Sequence, residues 1–412
     1  MDKPSMTSGA LSGVRILDAT RILAGPWATQ IMADLGADVI KLEKPGVGDD
    51  TRAAGPPFVK DSAGNDTSDA AYFTSANRGK RSVCVDISKP EGQAVVRQLA
   101  MRSDVFIENY KFGTMKRYGL DYETLRQINP RLIYCSITGF GQTGPDRSRP
   151  GYDFIFQGMG GVMSITGERD DLPGGGPQKV GVAFCDIMTG MYAAVAILGA
   201  IAARVRTGRG QYIDLALLDV TIQALANMAS NYLVSDRVPG RMGNAHANLV
   251  PYQVFPCADG HIVLTVGNDE QFASFCAVAN LKELSQDPRF ATNPSRIRNR
   301  GELIPIIEQV MLTRGCAKWL SMLENAGVSC GPINNIKQAL ESRQAVAREM
   351  VVEVPYQDSG KVRVVGSPLK FSDTPVRYGA IPTLGQHTEE VLRTIGGLTE
   401  VQFNALKSAG VV

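Results

Sequence analysis

The sequence predicts an α/β fold built on an open parallel sheet, and three observations predict it. Short β-rich runs recur along the N-terminal half, and stretches with helical spacing separate them. The first two runs and the helix between them make a βαβ unit of about thirty residues. The chain has 412 residues, 44% of them hydrophobic, so it can bury a large core and divide into two domains.

Val14–Asp18 (VRILD) is the first strand. A turn through Leu23, Ala24 and Gly25 follows, with Pro26 at a first helical position. Trp27–Leu35 carries helical apolar spacing, Gly36 stops it, and Asp38–Leu42 (DVIKL) returns to strand. Ser82–Asp86, Val105–Glu108 and Leu132–Ile137 repeat the strand signal, with helices at Glu91–Arg102 and Tyr122–Ile128 between them. Gly181–Arg206 reads as a long Ala- and Met-rich helix closed by Thr207–Gly210, and Asp219–Val234 as a second helix. Arg237–Gly243 (RVPGRMG) is a flexible connector. Strands near Tyr252–Phe255 and His261–Val266, with helices at Asp269–Ala279 and Gly301–Leu312, form a smaller α+β domain. The expected division is 1–225, 226–333 and a tail 334–412 that rejoins the first part.

The 43 basic and 41 acidic residues leave a formal +2, which gives no reason to expect nucleic acid or a membrane surface as partner. Seven dispersed cysteines without a CxxC pair read as reduced thiols, and three scattered histidines argue against a metal centre. Residues 1–13 carry no leader pattern, and the most apolar run, Tyr192–Ala203, is too short to span a bilayer. A cytoplasmic protein is expected.

Four segments invite a chemical reading. Gly139–Gly144 (GFGQTG) satisfies the dinucleotide pattern, but the two prolines at 145 and 150 leave no helix to hold a pyrophosphate, which favours a plain turn. Ala24–Pro26 joins a strand end to a helix start, a place for an anion or only a tight turn. Asn77–Ser82 (NRGKRS) is either a solvated loop or a grip on phosphates. Asp186 opens a nearly all-apolar helix. It is either the helix N-cap or a buried functional acid, and helix donors would keep it ionised and nucleophilic.

Taken in order, these segments resemble the class III CoA-transferase family, also called the CaiB/BaiF or formyl-CoA transferase family. The matching motifs are Gly13–Asp18, Leu23–Pro26, Gly36–Pro45, Asn77–Ser82, Glu108–Tyr110, Ser136–Gly144, Gly151–Asp153, Asp186 with Thr189 and Gly190, Thr207–Gly210 and Leu384–Thr388. Asn244–His246, Val250–Gln253 and Gly331–Asn335 look like the succinate–hydroxymethylglutarate CoA-transferase group. The resemblance implies a Rossmann-like large domain built from both chain ends, a small middle domain and an interlocked homodimer. It implies Asp186 as the nucleophile, which forms an aspartyl–acyl anhydride and then an aspartyl–CoA thioester. Leu23 and Ala24 fall where the family lines the thioester. Lys44, Arg81, Val85, Asn109, Tyr110, Lys111 and Arg117 fall along the CoA body, and Tyr152 and Asp153 are carried as binding positions. Formyl-CoA transferase has a glutamine at the place of Leu23, so no polar role carries over there.

CoA is then a substrate, and no metal or tightly bound cofactor is implied. Succinyl-CoA is the expected donor, and the acceptor a small dicarboxylate such as glutarate, hydroxymethylglutarate or itaconate, with Arg241 or His246 for its distal carboxylate. Related α-methylacyl-CoA racemases use a histidine where Tyr152 stands. A phenol (pKa ~10) is a poor neutral-pH base beside imidazole (~6.5), which disfavours racemisation. A non-catalytic acyl-CoA-binding protein is the remaining alternative.

Overall fold

The computed structural model describes residues 9–356 and 360–412. Residues 1–8, most of the stretch read above for a leader, lie outside the described residues. The chain divides into two compact units. The larger comprises Met1–Gly161, Val180–Leu225 and Arg343–Val412, and the smaller Val162–Lys179 with Ala226–Ser342. Residues 162–179, which the sequence reading grouped with the large part, cluster with the smaller one. Arg241 holds them there: its guanidinium donates to the Glu168 carbonyl and pairs with Asp170.

In the larger unit, β1 (Arg15–Ala19), β2 (Asp38–Glu43), β3 (Lys80–Cys84), β4 (Val105–Glu108), β5 (Ile133–Thr138) and β6 (Tyr212–Ala216) make one sheet. All five pairings are parallel, in the order β3-β2-β1-β4-β5-β6. This is a doubly wound, Rossmann-type order whose direction reverses between β1 and β4. A ligand crevice belongs outside the carboxyl ends of those two strands. The sequence reading did not single out β6, although YIDLA alternates as an edge strand should.

Helix α1 (Ala24–Asp34) follows β1, α2 (Pro90–Met101) follows β3, and α3 (Asp153–Met159) and α4 (Phe184–Thr207) come between β5 and β6. Alternate strand residues feed opposite faces. Ile16, Val39, Val105 and Ile133 pack with Ala28 and Met32 of α1 and Ala193, Ala194 and Ile197 of α4. Leu17, Ile40 and Phe106 pack with Val95, Val96 and Leu99 of α2, and with Val391, Leu392 and Phe403 near the chain end. The tail therefore closes the second face of the sheet.

Two corrections concern helices. The segment expected as one helix over Asp219–Val234 is two, Leu217–Gln223 and Ala226–Ser235, broken where Ala226 takes φ +45°. Helix α4 is longer than the apolar run Tyr192–Ala203 on which the bilayer argument rested. By length and composition its 24 residues would suffice to cross a membrane. Its Cys185, Ala193, Ala194, Ile197 and Ala200 nevertheless lie in the core, while Met191, Tyr192, Val195 and Val205 stay exposed.

In the smaller unit, β7 (Tyr252–Cys257), β8 (Gly260–Thr265) and β9 (Ser329–Pro332) form an antiparallel sheet in the order β9-β8-β7. Phe255, Ile262 and Leu264 pack there with Phe272, Phe275, Ile307 and Trp319 from its helices.

Candidate active site

A cavity of about 600 Å³ opens at the carboxyl ends of β1 and β4, where the sheet order reverses. Leu23, Ala24, Asn109, Tyr110, Lys111, Tyr152, Asp153 and Asp186, eight of the twelve residues singled out from the sequence, line it. Positions from 23 to 186 of the chain thus converge on one crevice through strand ends and helix starts.

Asp186 stands in the first turn of α4, but it is not the cap. The N-cap is Ala183, which has no capping side chain. Asp153, from the first turn of α3, supplies the missing acceptor: its Oδ1 takes the Cys185 N–H at 2.7 Å and the Asp186 N–H at 3.2 Å. Its Oδ2 takes the Gln157 amide at 2.6 Å. The donors expected to keep Asp186 ionised are therefore directed at Asp153. Among the described residues no donor reaches the Asp186 carboxylate. Burial, then the neighbouring Asp153 charge, push its pKa up to about 7. Near neutral pH about half of the molecules carry the nucleophilic carboxylate. The expectation of a fully ionised aspartate is corrected accordingly.

The head of α1 lines the same crevice as this carboxylate. Gly190, four residues beyond Asp186, lets α1 approach α4 so closely that a Cβ there would lie 2.6 Å from the Ala24 carbonyl oxygen. Gly25 is likewise packed on Thr20, at 2.3 Å from a built Cβ. Leu23 and Ala24 are buried. The Ala24 and Gly25 N–H groups precede the first helical hydrogen bond and, among the described residues, donate to no protein acceptor. They are suited to a developing oxyanion.

The expected CoA-body residues separate into three groups. Tyr110 and Lys111 line the main cavity. Lys44 and Val85 line an adjoining cavity of about 290 Å³ that shares Arg21, Asp50 and Tyr110 with the first. Arg117 is exposed over the ring of Tyr118, another wall of that second cavity, at 5.1 Å. Asn109 reaches the crevice with its amide already engaged on the backbone of Arg21.

Arg81 is misplaced by the sequence reading. Its guanidinium pairs with Asp38, at the amino end of β2, and with Glu390. That is the opposite end of the sheet from the crevice. Within NRGKRS, Arg78 is buried against Asp34 at 2.5 Å and Lys80 against Asp18 at 3.2 Å, so neither a surface loop nor a phosphate grip describes it. Lys80 belongs to a buried charge network under the crevice. Lys80 also donates to the Pro26 carbonyl, Asp18 accepts from Thr20 and Thr29, and Lys41 joins the Thr20 carbonyl to Asp49 at 2.7 Å. Burial would raise the Asp49 pKa, but Lys41 and Thr51 bring it down to about 2. Burial outweighs the Asp18 charge at Lys80 and lowers its pKa to about 8.

The cations that do line the cavity besides Lys111 are Arg21, Arg147 and Arg149. Arg21 lies over the Tyr110 ring, Arg147 over Phe112 and Arg149 over Phe140. PDRSRP after the glycine turn was read only as helix-breaking, and its two arginines were the missed signal. Tyr72 was missed as well: burial, then the Asp186 and Asp153 charges, raise its phenol pKa and keep it protonated beside them. No helix follows Gly144 until Asp153, which removes the dinucleotide reading. In the smaller unit Arg241 is held by Asp170, and His246 accepts the Asn248 N–H at Nδ1. The Arg241 guanidinium is thus already engaged, whereas His246 keeps its Nε2 without a hydrogen-bond partner among the described residues; neither residue lines the crevice that holds Asp186. Among the described residues no cluster of three or more His, Cys, Asp or Glu side chains is assembled for a metal.

The profile of CoA-transferase family III matches residues 11–388. A succinate–glutarate CoA-transferase of Agrobacterium fabrum is 49% identical over 383 residues, 93% of this chain and 94% of that protein. A succinyl-CoA:glutarate CoA-transferase of Mus musculus is 43% identical over 403 residues, 98% of this chain and 90% of that protein. A solved CAIB/BAIF family protein from Brucella suis superposes with a TM-score of 0.82 at 46% identity, covering 94% of this chain and all of the other.

Proposed function

The chain belongs to CoA-transferase family III and is a CoA-transferase, and on that premise we propose that it moves CoA from succinyl-CoA to glutarate through Asp186. The observation that carries the residue assignment is a half-buried, donor-free carboxylate lining the same crevice as Ala24 at the head of α1, whose N–H has no acceptor among the described residues.

In the first step an Asp186 oxygen attacks the succinyl thioester carbonyl, the C–S bond breaks, and CoA thiolate leaves an aspartyl–succinyl anhydride. The thiolate attacks the Asp186 carbonyl carbon, releasing succinate and leaving an aspartyl–CoA thioester. A glutarate carboxylate opens this thioester to a second anhydride. The thiolate returns to the glutaryl carbonyl, forming glutaryl-CoA and restoring the Asp186 carboxylate. Each tetrahedral intermediate develops an oxyanion, for which the Ala24 and Gly25 amides are the proposed donors; one such donor is worth ~3–4 kcal/mol. Arg21, Lys111, Arg147 and Arg149 supply the charge suited to the phosphates and the distal carboxylate. Racemisation finds no support: none of the three histidines lines the cavity, and Tyr152 is a 71% exposed phenol.

Incubation with succinyl-CoA and a panel of dicarboxylates, read by mass of the CoA esters, tests the substrate pair; glutaryl-CoA should form fastest. Borohydride or hydroxylamine added after acyl-CoA should modify Asp186 alone, and labelling elsewhere in an active sample would refute the assignment. Since only the ionised form attacks, kcat/KM should rise with pH and reach half its plateau near 7. Buried Glu108 also has a pKa of about 7, so a variant must separate the two. Asp153→Asn keeps an acceptor for the helix but removes the like charge, and should move the rising limb down by roughly 0.5–1 pH unit. A limb that stays in place would assign it to another group.

The same reading extends to a homodimer, supported by the exposed apolar side of α4. Light scattering should then give twice the 44.3 kDa of one chain.

A further inference from the structure

One side chain bridges the crevice between β1 and β4, and the reaction above leaves it without a role. Asn109, directly after β4, accepts the Arg21 N–H through Oδ1 at 2.9 Å and donates through Nδ2 to the Arg21 carbonyl at 2.8 Å. Both functions of the carboxamide are thus occupied by the backbone of one residue. The next residue, Ile22, has φ +70°. A β-branched residue avoids that region unless its surroundings hold it there. The Asp49 carboxylate does part of this, accepting the Ile22 N–H at 3.2 Å while Thr51 and Lys41 fix its two oxygens. Leu23 and Ala24, which line the cavity with Asp186, follow immediately.

We propose that Asn109 and Asp49 are positioning residues for transfer, clamping the Arg21–Ile22 turn in its left-handed form so that the first turn of α1 is aimed at the acyl group on Asp186. The proposal rests on the aspartyl chemistry above. Released from the clamp, Ile22 relaxes to negative φ, and Leu23 and Ala24 rotate away from the carboxylate. Asn109 then acts on catalysis through the backbone of the turn that follows β1, and not as a ligand of CoA.

The test separates kcat from KM for succinyl-CoA in Asn109→Ala, Asn109→Asp, Ile22→Gly and the Asn109→Ala/Ile22→Gly double variant. Asn109→Ala should lower kcat roughly 30–100-fold, as an ångström-scale displacement does, with KM changed less than about threefold. Asn109→Asp keeps the acceptor but cannot donate, and should fall between. Ile22→Gly in the alanine background should recover about tenfold in kcat, because glycine holds a positive φ without help. A raised KM with kcat kept, or no recovery by glycine, would overturn the clamp in favour of direct CoA binding. If the wild type transferred no CoA, the aspartyl reading would fail by itself. Amide hydrogen exchange at residues 21–25 would then decide the clamp, with faster exchange in Asn109→Ala supporting it and an unchanged rate refuting it.

Discussion

Asp186→Asn is expected to reduce CoA transfer by at least ~10⁴-fold, the scale seen when a covalent nucleophile is removed, and to stabilise the protein at pH 8. The two effects share one cause. The folded pKa of Asp186 is about 7, above the ~3.9 of an unfolded aspartate. The folded state therefore holds this proton more tightly than the unfolded chain does. The stability contribution is fully present below the unfolded value and is lost as pH rises through 7. At pH 8 the ionised carboxylate costs on the order of 1–4 kcal/mol, discounted for its partial exposure, and a neutral amide avoids most of that cost. Thermal melts of both proteins from pH 4 to 8 should show curves that lie closest together at pH 4 and separate with rising pH in favour of the variant. A variant no more stable at pH 8 would mean that the carboxylate is well solvated. Strain of this kind is where catalytic residues set activity against stability.

Gly190→Ala should lower kcat roughly 10–100-fold, although the mutation lies on a helix and adds one methyl group. The added Cβ meets the Ala24 carbonyl oxygen at 2.6 Å and the Trp27 Cβ at 3.0 Å, so backbone and not a flexible side-chain tip must yield. Overpacking costs about 1–3 kcal/mol, and the higher helix propensity of alanine returns up to ~1 kcal/mol. The protein should still fold, with α1 displaced from α4. Steady-state kinetics beside a circular-dichroism melt checks this: near-native Tm with depressed kcat is expected, and native kcat would show that the site tolerates the shift.

Much of the sheet was legible because strand and helix periods are local properties. VRILD, DVIKL and VFIE state their faces in five or fewer residues, and Gly36 marks the stop of α1 with φ +96°. Asp186 was legible as an acid in an apolar helix. What governs its charge was not: Asp153 lies 33 positions away, and nothing local distinguishes a cap supplied by another helix from one at the helix's own start. NRGKRS failed for a related reason. Its three cations meet acids 43–62 residues earlier in the chain, and a charge run carries no information on whether such partners exist. Asn109 reached the expected crevice through strand order, but its work is on the backbone opposite. A motif match transmits place better than it transmits hydrogen-bond direction.

The buried cations beneath the crevice, Lys41 and Lys80 with Arg52 paired to Glu43 at 2.7 Å, have a consequence for behaviour in acid. Asp18, Glu43 and Asp49 all hold folded pKa values below their usual range against burial, so the support they give is present above the unfolded carboxylate values and fades only as pH falls through the depressed ones, near 2 for Asp49. The nucleophile, by contrast, is already muted well below 7. Between these two thresholds these three carboxylates still support the fold while the nucleophile is protonated, so activity lost on mild acidification should return on neutralisation.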